Sequence, residues 1–244
     1  MRPALSILVP VFDEQANLRR NLPALRAAAR ACTPAHEILV VDDGSTDRSA
    51  EIVRRAARRD PRLRLVRHPR RLGPGAGVPT GLFWARGDWM ALVPADLACE
   101  PADLGKLWAA RLQADLVVGL RGARGDVGLS RRALSAVFTT AVRLLGRSAL
   151  RQFTYIQMLR RQLFAELLLE SRGVFVTAEA ILRAEAAGCR LVQVPMRYRP
   201  RLRGRARGAS PEAALRCGLE GLRFFGQRLS FGGLWCYKGD EESG

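Results

Sequence analysis

The chain has 244 residues, of which 48% are hydrophobic, so it can bury a substantial core as one large α/β domain or as a domain with an appendage. Its net charge is +17, with Lys106 and Lys238 as the two lysines among 40 basic residues. Such a surface favours anionic partners such as phosphorylated substrates, lipid headgroups or nucleic acid. No apolar run reaches the length of a bilayer, about 18 residues, which excludes a membrane-spanning helix in this sequence.

Cysteine and histidine usage narrows the chemistry further. The five cysteines are scattered without a Cys-x-x-Cys pair, which predicts a reducing cytoplasm and no structural zinc. The only histidines are His36 and His68, which argues against a Ser-His-Asp triad. Asp13 and Glu14 directly follow the apolar stretch 5–12, so this stretch is predicted to be a first strand rather than a signal peptide.

Short apolar strands alternate with helices through the first half of the chain. Strands are predicted at 5–9, 38–41, 63–66, 89–93 and 116–119, with connecting helices that end near residues 31, 59, 85 and 113. The four successive apolar residues at 38–41 indicate a central strand buried on both faces. This alternation with short connections predicts a doubly wound, mostly parallel sheet flanked by helices.

Polar or turn-forming residues follow each of the first four predicted strands. Glu14 follows the first, Asp42 and Asp43 follow the second, a glycine-rich loop at 72–77 follows the third and Asp96 follows the fourth. The carboxyl ends of parallel strands lie at one edge of a sheet, where α/β proteins bind ligands. We therefore predict the ligand site at this edge.

One alternative for the acids at this edge stays open, and two common nucleotide-binding motifs are excluded for the glycine-rich loop. Ser45, Thr46 and Asp47 are predicted to cap the following helix, and Asp42 and Asp43 taken alone could serve only the same purpose. The glycine-rich loop fits neither the Gly-x-Gly-x-x-Gly fingerprint nor a P-loop, so those nucleotide sites are not predicted.

The second half of the chain is richer in arginine. A helix is predicted over 131–147, and packing in the core is favoured over membrane contact for its apolar stripe of Leu134, Val137, Phe138, Ala141 and Leu145. Alternate residues share one side of an extended chain. Six arginines stand at every second position from 197 to 207, so we predict that they form an anion-binding lip on one side of the chain. They are Arg197, Arg199, Arg201, Arg203, Arg205 and Arg207. The aromatic residues of 219–237 either pack on the core or lie at a bilayer interface, and the sequence does not decide between the two.

Eight short sequence motifs follow one another along the chain. They lie at 7–14, 38–47, 72–76 with Gly81, 85–88, 95–96, 116–121, 170–173 with Glu179, and 194–204. This series resembles the family 2 glycosyltransferases, and within them the polyprenyl- and dolichyl-phosphate sugar synthases. The resemblance covers roughly residues 4–210. It implies a GT-A-like domain over 1–210, with 211–244 as a basic amphipathic helix and tail appended to it.

The resemblance implies that a nucleotide-sugar donor binds at the carboxyl edge of the sheet. The positions that contact the donor correspond to Pro10, Phe12, Glu14, Asp43, Gly75, Ala76 and Ala95. Asp96 corresponds to the second acid of the Asp-x-Asp motif, in which Mg²⁺ or Mn²⁺ bridges the diphosphate. The positions near the diphosphate and an acceptor phosphate correspond to Arg121, Arg131, Arg132 and Arg201. Asp96, Arg121, Arg132 and Arg201 are the predicted catalytic residues.

The sequence departs from the family pattern at two places. Pro94 replaces the first acid of Asp-x-Asp and Ala98 lies where a third metal contact is common, so the metal site is reduced to Asp96. Gln152 stands where relatives usually have aspartate. A sugar hydroxyl acceptor would need a general base, whereas a phosphate acceptor is already an oxyanion, so this loss favours a lipid-phosphate acceptor.

We therefore expect an inverting glycosyltransferase that moves a sugar from a nucleotide donor to a polyprenyl phosphate. The alternatives are transfer to a glycan hydroxyl and a catalytically silent relative that binds nucleotide sugar. The expected location is cytoplasmic and peripheral at the inner membrane face, with an anionic membrane surface and a membrane protein as further partners. Nucleic acid is not an expected partner, because no nucleic-acid-binding motif accompanies the basic residues.

Overall fold

A computed structural model describes residues 2–73, 75–122, 129–199 and 211–230. Within these ranges seven strands form one sheet in the order β3-β2-β1-β4-β6-β5-β7. The strands are β1 Leu5–Val11, β2 His36–Asp42, β3 Leu63–Arg67, β4 Trp89–Leu92, β5 Leu116–Arg121, β6 Gln157–Arg160 and β7 Leu191–Met196. All pairings are parallel except those of β6, which runs antiparallel to both β4 and β5. The predicted α/β class with a mostly parallel sheet is confirmed.

Helices cover both faces of this sheet. They are α1 Gln15–Cys32, α2 Ser49–Ala57, α3 Gly77–Trp84, α4 Leu104–Ala110, α5 Leu129–Gly146, α6 Arg161–Glu166, α7 Val176–Ala186 and α8 Pro211–Ser230, with a 3₁₀ turn at Pro101–Asp103 before α4. None of the helices in the described ranges is long and apolar enough to cross a membrane.

The central strands contribute alternate side chains to two separate cores. In β2, Ile38 and Val40 pack in the core that contains α1 and α4, while Leu39 and Val41 pack in the core that contains α3 and α7. All four side chains are at most 2% exposed. Burial on both faces explains why this strand appears in the sequence as an unbroken apolar run.

Two elements differ from their sequence-based predictions. Helix α3 begins at Gly77, whereas the sequence predicts a short helix over 81–85. Gly77 and Gly81 allow the helix to approach β1 closely. A Cβ atom on Gly77 would lie 3.0 Å from Pro10 Cβ, and one on Gly81 would lie 2.1 Å from Leu8 Cδ1. The second difference is β6: the sequence predicts an extended stretch over 150–158, whereas the strand spans Gln157–Arg160 and inserts antiparallel between β4 and β5.

A third apolar cluster joins α5 and α8 to α7. Phe175, at the start of α7, packs against Phe224 and Phe225 of α8, with ring centroids 5.7 and 6.4 Å away, and against Phe138 of α5 at 6.4 Å. The sequence left open whether the aromatic residues of 219–237 pack on the core or lie at a bilayer interface. Phe224 and Phe225 pack on the core. The aromatic residues beyond 230 lie outside the described residues, and the predicted boundary at 210 stays a prediction.

The apolar stripe predicted on α5 is only partly buried. Phe138 packs in the third cluster together with Val142, which the sequence did not single out. Val137, Ala141 and Leu145 are exposed, so the expectation of core packing was wrong for them. The reason is the rotational setting of the helix, which directs the side chains at 138 and 142 toward α7. The side chain of Leu134 lies outside the described residues.

Candidate active site

Three predicted acids follow the carboxyl ends of three adjacent strands. Strand β1 lies between β2 and β4 and is parallel to both, with Val11 opposite Asp42. Beyond these strands the pairing continues, since the backbone N–H of Asp43 donates to Val11 O at 2.8 Å and that of Val93 donates to Leu8 O at 3.0 Å. The turns that carry Glu14, Asp43 and Asp96 therefore leave the sheet side by side.

Asp43 holds the glycine-rich loop in place. Its buried carboxylate accepts hydrogen bonds from the backbone N–H of Leu72 at 2.8 Å and of Gly73 at 2.9 Å, and lies 2.9 Å from His68 Nδ1. His68 Nε2 lies 2.8 Å from Thr80 Oγ1 in α3, so one chain of polar contacts spans β2, β3 and α3. This role of Asp43 was not predicted from the sequence, although a histidine directly after β3 was an available signal.

The turns after β1 and β2 are bonded to each other. Asp13 has a φ of +50°, and its carboxylate accepts from the backbone N–H of Thr46 at 2.7 Å, while its own N–H donates to Ser45 Oγ at 2.9 Å. The N–H of Glu14 donates to Ser49 Oγ at 2.9 Å. Ser45 and Thr46 therefore link the two turns instead of capping α2, which begins only at Ser49, so this part of the capping prediction was wrong.

Asp47 both caps helix α2 and links the turns after β1 and β2. Its Oδ1 accepts from the N–H of Ser49 at 2.9 Å, which satisfies one donor at the start of α2, and its Oδ2 accepts from the N–H of Gln15 at 3.0 Å. The start of α1 and the start of α2 are thus fixed by the same carboxylate.

Helix α1 connects Glu14 with the turn that carries Asp96. The side chains of Asn17 and Asn21 are buried one helical turn apart. The amide of Asn17 donates to the carboxylate of Glu14, and that of Asn21 donates to Ala95 O at 3.0 Å. These two buried amides set the position of both acids relative to the same helix.

Phe12 is covered by an arginine on one side of its ring. The guanidinium carbon of Arg71 lies 4.2 Å from the ring centroid, which is cation–π geometry. A nucleobase placed against this side of Phe12 would have to displace Arg71 or stack on its guanidinium plane. The predicted contact of Phe12 with a base is not tested by this geometry and stays a prediction.

The glycine-rich loop also contacts the segment before α7. The N–H of Gly75 donates to Arg172 O at 2.9 Å, and a Cβ atom on Gly75 would lie 2.3 Å from the carbonyl carbon and oxygen of Arg172. This segment is in turn fixed by a buried ion pair in α7, because Glu179 accepts from the N–H of Glu170 and Ser171 at 3.0 and 2.8 Å.

Replacing Gly75 by alanine should lower the free energy of unfolding by about 1–3 kcal/mol, because the added methyl group meets backbone atoms that cannot rotate away. Gly105 in α4 is a matched control, since its Cβ would meet nothing within 4 Å. Gly105→Ala should be neutral or stabilise by up to about 1 kcal/mol. Chemical denaturation of both variants tests this, and equal stabilities would contradict the close contact.

The structure describes only the backbone of most arginines predicted to lie near the diphosphate and the acceptor phosphate. Arg121 ends β5 opposite Met196, and Arg132 lies in α5, but the side chains of Arg121, Arg131 and Arg132 and the whole of Arg201 lie outside the described residues. The segment that leads into the arginine run is bonded beside the Asp96 turn, since Glu100 N donates to Arg197 O at 2.9 Å and Arg199 N to Ala98 O at 3.3 Å.

Arg197 does not fit the predicted anion-binding lip. Its guanidinium donates to the buried carboxylate of Asp103 at 3.0 and 3.2 Å, so its charge is already paired. The lip prediction was wrong for Arg197, because an acid on the 3₁₀ turn before α4 lies opposite it.

Asp103 should make stability depend on pH in the acid range. Burial alone would raise its pKa, but hydrogen bonds from Arg197 and Lys106 lower the pKa from 3.8 to about 2. A carboxyl group whose pKa is lowered by folding stabilises the folded state above its unfolded pKa, and this contribution is lost as the pH falls through the folded pKa. The difference in unfolding free energy between wild type and Asp103→Asn should therefore shrink between about pH 4 and pH 2. Denaturation curves across this window measure it, and a constant difference would contradict the assignment.

A divalent metal has few protein ligands at this edge. Among the described residues no group of three or more His, Cys, Asp or Glu side chains is placed to hold a metal ion. The residues therefore do not form a preassembled metal site, and they fit only a metal that takes most of its ligands from a bound diphosphate and water.

The order of the strands and the helices on both faces of the sheet match solved structures of the GT-A fold. Crystal structures of glucosyl-3-phosphoglycerate synthase from Mycobacterium tuberculosis share this fold with a TM-score of 0.72 at 19% identity, over 92% of this chain and 80% of that one. A further structure of that enzyme, with Mn²⁺, UDP-glucose and phosphoglyceric acid, matches with a TM-score of 0.69 over the same shares. The family model for glycosyl transferase family 2 matches residues 6–173. The chain belongs to this family.

Relatives with related sequences include two transferases of the same name and an uncharacterized glycosyltransferase. The undecaprenyl-phosphate 4-deoxy-4-formamido-L-arabinose transferase of Edwardsiella ictaluri is 30% identical over 206 residues, which are 83% of this chain and 62% of that protein. The protein of the same name from Pseudomonas paraeruginosa is 37% identical over 124 residues, 50% of this chain and 37% of that protein. An uncharacterized glycosyltransferase of Mycobacterium bovis is 30% identical over 84% of this chain and 89% of its own length. The chain thus spans less than two thirds of the length of the two named transferases.

Proposed function

We propose that the protein transfers a sugar from a nucleotide-sugar donor to a polyprenyl phosphate, with inversion at the anomeric carbon. The observation that carries this proposal is the side-by-side arrangement of the Glu14, Asp43 and Asp96 turns at the carboxyl edge of β1, β2 and β4. The names of the Edwardsiella and Pseudomonas relatives support the lipid-phosphate acceptor. The UDP-glucose complex of the Mycobacterium tuberculosis enzyme supports the donor class.

The donor would lie across the turns that follow β1, β2 and β4. Glu14 and Asp43 would accept hydrogen bonds from the base and the ribose hydroxyls, and Phe12 or the Arg71 guanidinium on it would offer a flat surface to the base. Further donor contacts would come from Pro10, Gly75, Ala76 and Ala95. Asp43 Oδ1 already accepts from the N–H of Leu72 and lies 2.9 Å from His68 Nδ1, and Oδ2 accepts from the N–H of Gly73. A carboxylate has about four acceptor positions, so Oδ2 can still accept from one hydroxyl.

Asp96 would act at the diphosphate. It would hold Mg²⁺ or Mn²⁺ together with diphosphate and water oxygens, and a bound metal ion would neutralise charge on the leaving nucleoside diphosphate. The metal-containing complexes of the Mycobacterium tuberculosis enzyme support a divalent ion in this fold. Arg121, Arg132 and Arg201 would bind the diphosphate or the acceptor phosphate, for which arginine is well suited.

The reaction would be a single in-line displacement. An oxygen of the acceptor phosphate attacks the anomeric carbon and forms the new C–O bond, while the bond from that carbon to the diphosphate oxygen breaks and the nucleoside diphosphate leaves. A phosphate monoester is already anionic at neutral pH, so no side chain has to remove a proton from it. The glutamine at 152, in place of an acid, is compatible with such an acceptor.

Mixing the protein with labelled nucleotide sugars, undecaprenyl phosphate and Mn²⁺ tests the proposal, and we expect a labelled product that partitions into organic solvent. A product that forms only with glycan acceptors would instead support transfer to a hydroxyl group. Nucleotide binding without any product, across a broad panel of donors and with folded protein, would indicate a silent relative, as the loss of acids at Pro94 and Ala98 would allow.

A peripheral position at the cytoplasmic face of the inner membrane is part of the proposal. A polyprenyl phosphate keeps its phosphate at the membrane surface, so an enzyme that uses it must work there. Cell fractionation should recover the protein with inner membranes and release it with high salt.

A further inference from the structure

An open cavity of about 700 Å³ lies at the amino edge of the sheet, opposite the edge that carries the candidate active site. The segments that precede β1, β2, β3 and β4 line it, because these parallel strands all begin at the same edge. Strand β6 runs antiparallel and ends at this edge, so Arg161, which follows it, lines the same cavity. Five segments that are distant in the sequence therefore build one cavity.

Arginine is concentrated in this cavity beyond the general basicity of the chain. Five of the twelve lining residues are arginines, whereas lysine and arginine together make up 40 of the 244 residues of the chain. Guanidinium groups that converge on one space repel each other, and a bound anion relieves this repulsion. We use the name amino-edge cavity for the space between Arg2, Arg62, Arg64, Arg86 and Arg161.

The one carboxylate among the lining residues is already committed to the protein. Glu37 is 4% exposed, and its Oε1 accepts from Ser6 Oγ at 2.7 Å and from the N–H of Arg86 at 2.6 Å. Its Oε2 accepts from Arg64 Nη1 at 2.7 Å. Glu37 therefore holds Arg64 and the backbone of Arg86 at the wall of the cavity, and all its oxygen atoms are occupied by these donors.

Two of the arginines pair with acids that do not line the cavity. Arg2 lies 2.9 Å from Asp88, and Arg62 lies 3.0 Å from Asp60. Asp60 is shared with Arg26, which lies 2.6 Å away, so this carboxylate faces two guanidinium groups. The acids nearby therefore offset only part of the positive charge at the amino-edge cavity.

The remaining arginines keep donors for a ligand. Arg161 donates through Nε to Gly87 O at 3.1 Å, so its two terminal nitrogen atoms can still bind an anion. Arg86 is exposed, and its guanidinium has no hydrogen-bond or ion-pair partner among the residues that the structure describes. The fold thus places these guanidiniums at a cavity wall without using all of their hydrogen-bonding capacity.

We propose that the amino-edge cavity binds a soluble phosphorylated small molecule that carries at least two negative charges. Its volume is within the range of about 300–1,000 Å³ that is typical of small-molecule sites. A guanidinium group binds two phosphate oxygens at once, which makes arginine the suitable side chain for such a ligand. Pro3, Pro34 and Pro61 add an apolar wall that would contact an organic part of the molecule. The proposal does not depend on sugar transfer.

Titration calorimetry with pyrophosphate as the probe tests this proposal, in buffer with EDTA and at a constant ionic strength of about 0.15 M. The double variant Arg62→Gln, Arg86→Gln should bind pyrophosphate at least about tenfold more weakly than wild type, because two charge-assisted hydrogen-bonding groups are lost. Arg86→Gln alone should already weaken binding several-fold. This single variant removes no side-chain contact within the described ranges, so it keeps the test decisive if the double variant unfolds.

Two arginines of another surface provide a matched control for the loss of charge. Arg54 in α2 and Arg58, which follows it, are both exposed and do not line the amino-edge cavity. The double variant Arg54→Gln, Arg58→Gln has the same net charge as the first double variant. It should bind pyrophosphate within about twofold of wild type, because a site contact is stronger than screened attraction at a distance.

Chemical modification locates the bound probe independently of any substitution. Phenylglyoxal reacts with accessible guanidinium groups, and mass spectrometry of the digested protein measures the reaction at each arginine. Pyrophosphate should slow the modification of Arg62 and Arg86 and leave that of Arg54 and Arg58 unchanged.

Four outcomes would overturn the proposal. The first is a folded wild-type protein that does not bind pyrophosphate at millimolar concentration. The second is equal weakening in both double variants, which would indicate attraction by net charge alone. The third is protection of Arg121 or Arg201 in place of Arg62 and Arg86, which would place the probe at the candidate active site. The fourth is a cavity that binds a glutamate-rich peptide but not pyrophosphate, which would assign it to an acidic protein segment.

Discussion

Replacing Asp96 by asparagine should lower the rate of sugar transfer about 100- to 1000-fold while leaving the fold intact. The substitution keeps the size of the side chain in the turn after β4, next to Leu97 with its φ of +44°, but removes the negative charge. Under the proposed function that charge holds the metal and orients the diphosphate, and loss of one such electrostatic contact typically costs this much in kcat. Transfer assays at saturating donor, with and without Mn²⁺, measure the effect.

Asp88, at the other end of β4, offers a matched control for Asp96. It precedes the amino end of β4, is exposed, and pairs with Arg2 at 2.9 Å on the opposite edge of the sheet. Asp88→Asn should leave transfer within about twofold of wild type, since exposed ion pairs contribute little. If Asp96→Asn were as active as Asp88→Asn, Asp96 would not act at the diphosphate.

Replacing Glu179 by alanine should lower the free energy of unfolding by about 3–5 kcal/mol, a large effect for a single substitution. Glu179 and Arg183 are 1% and 5% exposed and lie 2.7 Å apart within α7. The substitution removes the buried partner of the Arg183 guanidinium and the acceptor for the backbone N–H groups of Glu170 and Ser171. Urea denaturation at neutral pH measures the change.

Glu51 is the control for this prediction, because it is an exposed glutamate in the first turn of α2. Glu51→Ala should change stability by less than about 0.5 kcal/mol. Under the proposed function, donor affinity should also fall in Glu179→Ala, because the segment that Glu179 holds includes Arg172, whose carbonyl accepts from the N–H of Gly75. A loss of less than about 1 kcal/mol would mean that the pair is compensated elsewhere.

The sequence was sufficient to predict the sheet and its polar edge. Strong local signals made this feasible: the apolar run at 38–41 is typical of a strand buried on both faces, and acids or glycines lie in the turns after the first four strands. Element boundaries were less accurate where glycine permits a close approach, as in α3, because helix propensity does not report contact with Pro10 and Leu8.

Contacts between distant segments were beyond the reach of the sequence. Nothing local indicates that Asp43 bonds to Leu72 and Gly73, or that Asp103 pairs with Arg197, since both depend on how the strands are ordered. The antiparallel β6 is another such case, because its position is fixed by β4 and β5 on either side of it. Several sides of α5 carry apolar side chains, and packing against Phe175, α7 and α8 determines which of them are buried.

A crystal structure of the protein with Mn²⁺ and a nucleoside diphosphate tests the central claim most directly, using the nucleotide that raises the unfolding temperature most in a screen. We expect the nucleoside to lie against the turns that carry Glu14 and Asp43, with the diphosphate within reach of Asp96. A nucleotide bound with high occupancy at any other edge or face of the sheet would contradict the account.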